Sequence, residues 1–357
     1  MGGFLLLGQK RIRDHGLKIG VMETGPRNSI TDIEGVAVGH CTILSDHVRT
    51  GVTAVIPHEG NLFREKLPAS SHVINGFGKS TGLLQIEELG TIETPILLTN
   101  TFGVGSCING LIRYMLEDNP DIGISTGTVN PVVLECNDGY LNDIRGMHVR
   151  QEHVMEALSN ARRDFLEGSV GGGTGMSCYQ LKGGIGTSSR VLHFAGHDCR
   201  YSLGVLVQSN FGKIGDFVCK GKKFTDYVPG FSTNGNDAKV QGSIIVVIGT
   251  DLPLNGRQLK RVCKRASVGI NRTGSFIENG SGEIAIAFST AQRIPHYPGI
   301  LSLPFSVLSE DLIDNVFRAV AEAVEEAILN SMICADPMYG RAGNYRASLQ
   351  NWIERLV

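Results

Sequence analysis

The sequence has few aromatic residues, no excess of either charge and no long hydrophobic run. Aromatic residues make up 6% of the 357 positions and tryptophan occurs once. No stretch approaches the roughly 20 consecutive apolar residues that a membrane-spanning helix needs. With 33 basic and 35 acidic side chains, the chain has no overall field that would attract nucleic acid or an anionic membrane. We therefore expect a small molecule or another protein as its partner, and neither nucleic acid nor a membrane.

Paired cysteines and a secretion signal are also missing. The eight cysteines are far apart, form no C-x-x-C pair and mostly lie in apolar runs, which favours buried free thiols in a reducing compartment. Near the start of the chain, Phe4–Leu7 is the only apolar core, and Lys10 and Arg11 follow it instead of preceding it. That pattern is too short and wrongly charged for a signal peptide, so we expect a cytoplasmic protein.

Glycine, by contrast, is abundant, and it is spread through segments that alternate between strand and helix patterns. The 46 glycines imply many tight turns and close backbone approaches. Short apolar runs rich in β-branched residues predict buried strands at Val36–Val38, Val52–Ile56, Pro95–Leu98, Pro131–Leu134, Leu203–Val207, Ser243–Ile248 and Glu283–Phe288. Apolar residues three or four apart predict helices at Gly105–Leu116, Val149–Leu166, Glu310–Met332 (capped by Ser309) and Gly343–Leu356. This alternation predicts a layered α/β protein.

The polar segment Pro229–Gly242 interrupts the apolar pattern and is typical of an exposed, mobile loop. It leads directly into the predicted strand that begins at Ser243. The hydroxyl of Ser243 could attack the carbonyl of Gly242, and water would then release a new N-terminal serine whose α-amine is a ready general base. Because a Gly-Ser pair before a strand is common by chance, this hypothesis needs independent support.

Two other segments have both a structural and a chemical interpretation. Ser281 and Glu283 are two residues apart at the start of a predicted strand, so both could reach one nucleophile, or they could simply belong to a solvated hairpin loop. The glycine-rich segment Gly168–Gly186 either passes close to another element or lines a substrate pocket with its backbone N–H groups.

Two apparent ligand motifs do not meet their requirements. Gly78-Lys79-Ser80 resembles the end of a phosphate-binding loop, but that loop requires a glycine at the position of Val73. His193 and His197 could share one face of a helix, yet no glutamate follows His193 as a metalloprotease helix would need. We therefore expect no cofactor and no metal.

Several motifs together resemble those of a known family, in consistent order from Asn28 to Ala291. They are NSITDIEGVAVGH, NDGYLNDI, VGGGTGM with KGGIGTSSR, LGVLVQSNFG, GSIIVVIGTD and SGEIAIAFSTA. This series resembles the DmpA/BapA family of aminopeptidases (L-aminopeptidase/D-esterase and β-aminopeptidases, peptidase family S58). The resemblance implies a four-layer αββα sandwich like that of N-terminal-nucleophile hydrolases and shared with ornithine acetyltransferases. It also implies self-cleavage of a single domain into residues 1–242 (α chain) and 243–357 (β chain), and a homotetramer of cleaved pairs.

The same resemblance implies a site. The family's nucleophile corresponds to Ser243, its assisting hydroxyl and carboxylate to Ser281 and Glu283, its amide donor to Asn210, and a tyrosine that lines the site to Tyr140. The implied reaction removes an N-terminal L-, D- or β-amino acid from a small peptide, amide or ester through an acyl-enzyme.

The sequence leaves several alternatives open. The proton of the nucleophile could pass to the Glu283 carboxylate or to the α-amine of Ser243, and Glu135, Asp138 or another acid could bind the substrate ammonium. The same architecture also supports acetyl transfer of the ornithine-acetyltransferase type, although those enzymes have a threonine at the cut. A non-catalytic binding protein on the same fold is the third possibility.

Overall fold

Two β-sheets lie face to face between two layers of helices. The computed structural model describes residues 9–231 and 242–357. Its strands of five or more residues are β1 (Ala37–Ser45), β2 (Val48–Ile56), β3 (Glu65–Gly76), β4 (Ile96–Asn100), β5 (Val132–Cys136), β6 (Gly184–Phe194), β7 (His197–Asn210), β8 (Ser243–Thr250) and β9 (Gly282–Ser289). Its α-helices are α1 (Leu83–Leu89), α2 (Val104–Glu117), α3 (Gln151–Ser159), α4 (Phe224–Tyr227), α5 (Gly256–Arg272), α6 (Ile313–Ile333) and α7 (Ile353–Leu356).

Shorter elements connect these. Two-residue strands occur at Thr91–Ile92, Ser177–Cys178, Leu181–Lys182, Val218–Cys219, Lys222–Lys223, Ile294–Pro295, Met338–Tyr339 and Tyr345–Arg346. Turns of 3₁₀-helix occur at Ile12–His15, Ile30–Asp32, Thr101–Gly103, Ile144–Gly146, Gly171–Gly173, Glu310–Leu312, Arg341–Gly343 and Leu349–Trp352.

The two sheets differ in size, and each contains both parallel and antiparallel pairs. The smaller sheet has the strand order β1-β2-β4-β5, and the larger has the order β3-β9-β8-β7-β6. The two-residue strands Thr91–Ile92 and Ile294–Pro295 also pair with β3. The pairs β4–β5 and β8–β9 are parallel, and the other neighbouring long strands are antiparallel. Strand β8 therefore lies in the middle of the larger sheet, and all eight of its residues are buried.

Strand β8 is apolar throughout because it is covered on both faces. Ile245 and Val247 pack between the two sheets, whereas Ile244, Val246 and Ile248 pack in the core beneath α5 and α6. A strand buried on both sides needs a continuous apolar run, which is the pattern that predicted it. Helices α2 and α3 cover the outer face of the smaller sheet in the same way. The predicted layered sandwich is confirmed.

Helix α5 was not predicted, because its charges hide its apolar stripe. Its exposed side carries several lysines and arginines, while the side facing the sheet is formed by Leu259, Val262, Cys263, Ala266 and Ile270, all buried. The spacing of these residues is helical. Asn255 caps the helix by accepting a hydrogen bond from the backbone N–H of Gln258.

Two predicted helices are wrong or too long. The segment Val149–Leu166 is α-helical only over Gln151–Ser159, because Arg162 then pairs its backbone with Val38 at the edge of the smaller sheet. The segment Gly343–Leu356 is a short strand, a 3₁₀ turn and the four residues of α7. There, the carbonyl of Ala347 accepts a hydrogen bond from the backbone N–H of Lys182, so tertiary pairing prevails over helical periodicity.

Two smaller predictions concern the start of α6 and the polar loop that precedes β8. Ser309 makes no side-chain capping hydrogen bond, and α6 begins at Ile313 after a 3₁₀ turn over Glu310–Leu312. The Glu310 carboxylate pairs with Arg257 and Arg261 of α5. The predicted mobile loop Pro229–Gly242 falls largely on residues 232–241, which lie outside the described residues, as does Phe4–Leu7.

The glycine-rich segment Gly168–Gly186 has its structural interpretation confirmed. A Cβ on Gly168 would collide with the carbonyl of Cys334, and Gly168 has a φ of +78°. The N–H groups of Gly171 and Gly172 donate to the hydroxyls of Thr42 and Thr53, so they are not available to a ligand.

The sequence predicted buried free thiols and no membrane-spanning segment. All eight cysteines are free thiols, seven of them buried, with Cys199 exposed. Among residues 9–231 and 242–357, no helix is long and apolar enough to cross a lipid bilayer. His193 and His197 lie on the two strands of the β6–β7 hairpin and not on a helix.

We predict that Gly186→Ala destabilises the fold while Gly105→Ala does not. A Cβ on Gly186 would clash with the carbonyl oxygen of Ala327 and lie 2.5 Å from the N atom of Ser331, both on α6, whereas a Cβ on Gly105 would meet no atom within 4 Å. Overpacking of this kind costs about 1–3 kcal/mol. Denaturant unfolding should give a lower midpoint for Gly186→Ala. Equal midpoints for the two variants would contradict the close packing of β6 against α6.

Candidate active site

Ser243 begins β8 and lies against the peptide bond that precedes it. Its side chain is 3% exposed, and its hydroxyl donates a hydrogen bond of 2.6 Å to the carbonyl oxygen of Gly242. The strand holds this geometry because Ser243 is paired on both sides, with Asn210 of β7 and Gly282 of β9. The hydroxyl is therefore within reach of the carbonyl group of its own chain.

Gly282 supplies the N–H group nearest to this pair. Its backbone nitrogen lies 3.2 Å from the carbonyl oxygen of Gly242 and 3.3 Å from the hydroxyl oxygen of Ser243, and it donates to both. A glycine is required here, because a Cβ would lie 2.6 Å from the carbonyl oxygen of Phe77 and 3.2 Å from the Ser243 hydroxyl. An N–H group aimed at a carbonyl oxygen stabilises the negative charge that develops when the carbonyl is attacked.

Asn210 lies opposite Ser243 at the end of β7, and hydrogen bonds fix both ends of its amide. Its Oδ1 accepts from the backbone N–H of Ser177 at 2.8 Å, and its Nδ2 donates to the carbonyl of Asn137 at 2.8 Å. The side chain is 2% exposed. Since an amide nitrogen carries two hydrogens, one remains for a further acceptor.

Ser281 and Glu283 flank Gly282, so the parallel pairing of β8 with β9 brings both to the start of β8. Both are buried, and neither the Ser281 hydroxyl nor the Glu283 carboxylate makes a hydrogen bond of good geometry within the described chain. Burial raises the pKa of Glu283 to about 7, although the nearby Ser281 hydroxyl and Asn75 amide act in the opposite direction. A carboxyl group that titrates near neutral pH is suited to exchange protons with a nucleophile.

A small cavity of about 80 Å³ lies beside the Gly242–Ser243 junction. Gly242, Asn210, Ser281 and Arg346 are among the residues that line it. Tyr140 is half-buried and reaches this region through Arg346, whose guanidinium lies over its ring at 3.6 Å. The structure thus brings four of the five predicted residues to one junction and places Tyr140 behind Arg346.

Sequence reasoning missed several residues of this site. Asn75 of β3 donates to the carbonyl of Glu278 at 3.0 Å and also to that of Ser281, which holds the turn that leads into β9. Arg346 was placed in a helix, and Asn75 stood in a segment with no predicted strand. Only the glycine of the SGE motif gave a signal for the N–H of Gly282, since close backbone approach favours a residue without a side chain.

A serine on the central strand of a four-layer sandwich, held against the preceding carbonyl, defines a class of serine aminopeptidases related to N-terminal-nucleophile hydrolases. The model of peptidase family S58 matches residues 28–346. The chain belongs to this family, as the resemblance predicted, and it is therefore an aminopeptidase.

Individual proteins are similar to this chain over almost its whole length. The β-peptidyl aminopeptidase BapA of Sphingosinicella microcystinivorans is 37% identical over 370 residues, which cover 96% of this chain and 91% of that protein. The PH0078 protein of Pyrococcus horikoshii OT3 has a TM-score of 0.91 and 49% identity, covering 97% of this chain and 98% of that one. The L-aminopeptidase D-Ala-esterase/amidase of Ochrobactrum anthropi, a prototype of the serine aminopeptidases with a variant of the Ntn-hydrolase fold, has a TM-score of 0.88 and 38% identity, covering 97% of this chain and 96% of that one.

The raised pKa of Glu283 predicts a pH-dependent effect of Glu283→Gln on stability. Between pH 4.5, the ordinary value, and about 7, the folded protein holds a proton on Glu283 that the unfolded chain releases. This group therefore stabilises the fold fully below pH 4.5, and that contribution is lost as the pH rises through 7. The free energy of unfolding of Glu283→Gln, relative to that of the parent, should therefore rise between pH 4.5 and about 7 and remain at the higher level above pH 7.

Both proteins for this test should carry Ser243→Ala, so that each is an uncut chain. Urea unfolding at pH 5 and pH 8 gives the two free energies of unfolding. A difference between variant and parent that is the same at both pH values would contradict the buried, proton-holding carboxyl.

Proposed function

We propose that this chain is a self-processing serine aminopeptidase that cuts itself between Gly242 and Ser243 and then uses Ser243 to release N-terminal residues from small peptides, amides or esters. The observation that carries the proposal is the 2.6 Å hydrogen bond from the Ser243 hydroxyl to the carbonyl of the residue before it. Membership of peptidase family S58 supports the same conclusion.

In self-cleavage, Oγ of Ser243 bonds to the carbonyl carbon of Gly242 and the C–N bond of that peptide breaks. The hydroxyl proton moves to the departing nitrogen, which becomes the α-amine of Ser243, and the Gly242 acyl group is left as an ester. The N–H of Gly282 stabilises the developing oxyanion. Water then hydrolyses the ester and frees residues 1–242 from residues 243–357.

In turnover, the freed hydroxyl of Ser243 attacks the carbonyl of the substrate's first residue, and the C–N or C–O bond to the rest of the substrate breaks. The remainder leaves as an amine or alcohol that carries the proton, and water then hydrolyses the ester on Ser243 to release the N-terminal residue. The second N–H of Asn210 is available to the oxyanion of this reaction. Two groups can take the proton of the nucleophile: the Glu283 carboxylate with the help of the Ser281 hydroxyl, and the new α-amine, whose ordinary pKa of about 8 suits a base.

Of the two acids considered for the substrate ammonium, Glu135 fits better than Asp138. Asp138 is fully buried, and the side-chain amides of Asn100 and Asn142 occupy its two oxygens at 3.2 and 3.0 Å, which is the environment of a structural anchor. Glu135, the penultimate residue of β5, is also buried and also accepts at both oxygens, from the backbone N–H of Lys79 and the hydroxyl of Thr101, but it lies beside Gly78.

The position of Glu135 relative to the nucleophile supports this choice. A Cβ on Gly78 would lie 3.5 Å from Oε1 of Glu135, and the carbonyl of Phe77, the preceding residue, adjoins Gly282 beside the Ser243 hydroxyl. The carboxylate therefore lies beside the segment Phe77–Gly78, whose backbone adjoins Gly282 next to the Ser243 hydroxyl.

The proposal also includes an assembly and a location. A homotetramer of cleaved pairs follows the family resemblance, and a cytoplasmic location agrees with the eight free cysteines. Against acetyl transfer of the ornithine-acetyltransferase type, the residue at the proposed cut is a serine, and BapA and the Ochrobactrum anthropi enzyme are aminopeptidases. We accordingly favour water over an amine as the acyl acceptor.

We predict that Ser243→Ala abolishes both self-cleavage and turnover, because it removes the attacking oxygen. Intact-mass measurement after long incubation should give one uncut chain of 38.4 kDa for the variant. Wild-type protein should give the two chains 1–242 and 243–357. Hydrolysis of an aminoacyl p-nitroanilide should be detectable for wild type and absent for Ser243→Ala.

The matched control is Ser267→Ala, which alters a half-buried serine of α5 whose hydroxyl donates to the carbonyl of Lys264 within the helix. It should be cut and active like wild type. Two fragments meeting at residue 243 in the Ser243→Ala protein would reject the nucleophile, and a wild-type protein cut elsewhere would reject the junction.

We also predict that Glu135→Gln raises KM for a substrate with a free amine by about tenfold or more, because the ammonium loses its ionic partner in a buried site. The amide keeps the shape of the side chain and can still accept from the Lys79 N–H. The comparison is between β-alanyl and propionyl amides of the same leaving group, since only the first carries the amine. A variant that still prefers the amine by the wild-type factor would exclude Glu135 as the ammonium ligand.

A further inference from the structure

Lys182 is a fully buried cation that the proposed reaction does not use directly. Its side chain is 0% exposed, and it lies in the glycine-rich segment on a two-residue strand paired with Ser177. Its Nζ donates to the carbonyls of Gly173, Met176 and Gly183 at 3.1, 3.0 and 2.6 Å. These three carbonyls converge on one point, as they would around a bound cation.

This arrangement requires the charged form of the side chain. Burial lowers the pKa of Lys182 to about 7, while Asp336, Cys178 and Asp138 act in the opposite direction. Only an ammonium group has three hydrogens to give to three carbonyl acceptors. The carbonyls of Gly173 and Met176 also accept from the backbone N–H groups of Met176 and Gly183, so the ammonium is a second donor to each of them, whereas the carbonyl of Gly183 has Lys182 as its donor.

The peptide between Met176 and Ser177 connects Lys182 to Asn210. Its carbonyl oxygen accepts from the Lys182 ammonium at 3.0 Å, and its N–H, on the opposite side of the planar group, donates to Oδ1 of Asn210 at 2.8 Å. The amide of Asn210 then donates through Nδ2 to the carbonyl of Asn137 at 2.8 Å. An unbroken row of hydrogen bonds therefore runs from a buried positive charge to the amide group opposite Ser243.

In such a series of hydrogen bonds each bond polarises the next group, so the bonds strengthen one another. A cation on the carbonyl side of a peptide withdraws electron density and makes its N–H a stronger donor, and chains of this kind are strengthened by about 10–30% per bond. The same effect passes through the Asn210 amide, because an acceptor bond at Oδ1 makes the hydrogens on Nδ2 more positive. Those hydrogens include the one left for an oxyanion.

We propose that Lys182 is a positioning residue for catalysis, which holds and polarises Asn210 through the Met176–Ser177 peptide. This inference rests on the proposed function, in which Asn210 stabilises the oxyanion. Lys182 touches neither the nucleophile nor the peptide that it attacks. Its effect on turnover must therefore pass through Asn210.

A purely structural lysine would behave differently from a positioning one. If Lys182 only held the glycine-rich segment together, its loss would lower the stability and reduce activity independently of Asn210. If it acts through Asn210, its loss should matter little once the amide has been removed. A double-mutant cycle separates the two.

The experiment measures kcat and KM for wild type, Lys182→Met, Asn210→Ala and the double variant, each normalised to the cleaved and folded fraction. Asn210→Ala should lower kcat by about 10²–10³-fold, as the loss of one oxyanion donor does. We expect Lys182→Met to lower kcat about tenfold with KM little changed, and to have less than a twofold further effect in the Asn210→Ala background. Equal fold-losses in the two backgrounds would overturn the proposal.

Three further variants serve as controls. Lys182→Arg keeps the charge and should retain kcat within about threefold of wild type, whereas Lys182→Gln, similar in polarity but neutral, should behave like Lys182→Met and replaces it if the methionine variant does not fold. Arg190→Met removes another fully buried cation, which bonds to Glu322 and Glu326 and has no contact with Asn210. Its effect on kcat should be additive with Asn210→Ala.

The test also separates this inference from the proposed function. If wild type hydrolysed no amide or ester, the function would fail, and crystal structures of wild type and Lys182→Gln would then decide the inference. We expect the Asn210 amide to lose its bond to the Ser177 N–H or its contact with Asn137 in the variant. An unchanged Asn210 in an inactive protein would overturn the role of Lys182.

Discussion

The hydrogen bond from the backbone N–H of Gly282 to the carbonyl of Gly242 sets the geometry on which the site depends. It exists because β8 and β9 run parallel with Ser243 opposite Gly282. A shift of one residue would turn the Ser243 hydroxyl to the other face of the sheet and move Ser281 and Glu283 away from it. The register is fixed in turn by apolar side chains on both faces of β8, so the two cores position the nucleophile.

Buried cations away from the junction are paired: Arg190 bonds to Glu322 and Glu326, and Lys182 donates to three carbonyls. A few buried polar atoms elsewhere in the described residues lack a partner, among them Nε2 of His15, the hydroxyl of Ser80 and Oε1 of Gln208. At the site, the Ser281 hydroxyl and both oxygens of Glu283 are buried without a good hydrogen bond. Leaving such groups unpaired lowers stability, and this concentration at one junction is typical of a centre that exchanges protons with a substrate.

The sequence predicted the layers and most of the site, and its failures have physical causes. Strands buried on both faces, such as β8, are recognisable because their apolar runs are continuous. Helix α5 was missed because basic side chains on its solvent face mask a stripe of helical spacing, and Gly343–Leu356 was mistaken for a helix because backbone pairing with Lys182 is a long-range contact.

The residues around Ser243 also divide into those that a local motif marks and those that only long-range contacts bring there. Ser243, Asn210, Ser281 and Glu283 were placed by local motifs, and strand register brings them together. Asn75 and Arg346 join them from distant parts of the chain, and no local pattern marks either residue. The role of Lys182 depends on the orientation of a single peptide plane, which no spacing of residue types expresses.

The site contains two separate donors for a carbonyl oxygen, and they suit two different reactions. In the uncut chain the Gly242 carbonyl accepts from Gly282 and Ser243, whereas the amide of Asn210 is bonded to Asn137 and Ser177. In the proposed self-cleavage, the oxyanion would accept from a backbone N–H that needs no side chain to be in place. In the proposed turnover, the remaining N–H of the Asn210 amide would be the donor to the substrate oxyanion. A side-chain amide must be held rigid to act at this distance, because a misaligned donor loses most of its effect. The Asn210 amide is held in this way, since it is bonded at both ends and a buried cation lies behind the peptide at one of them.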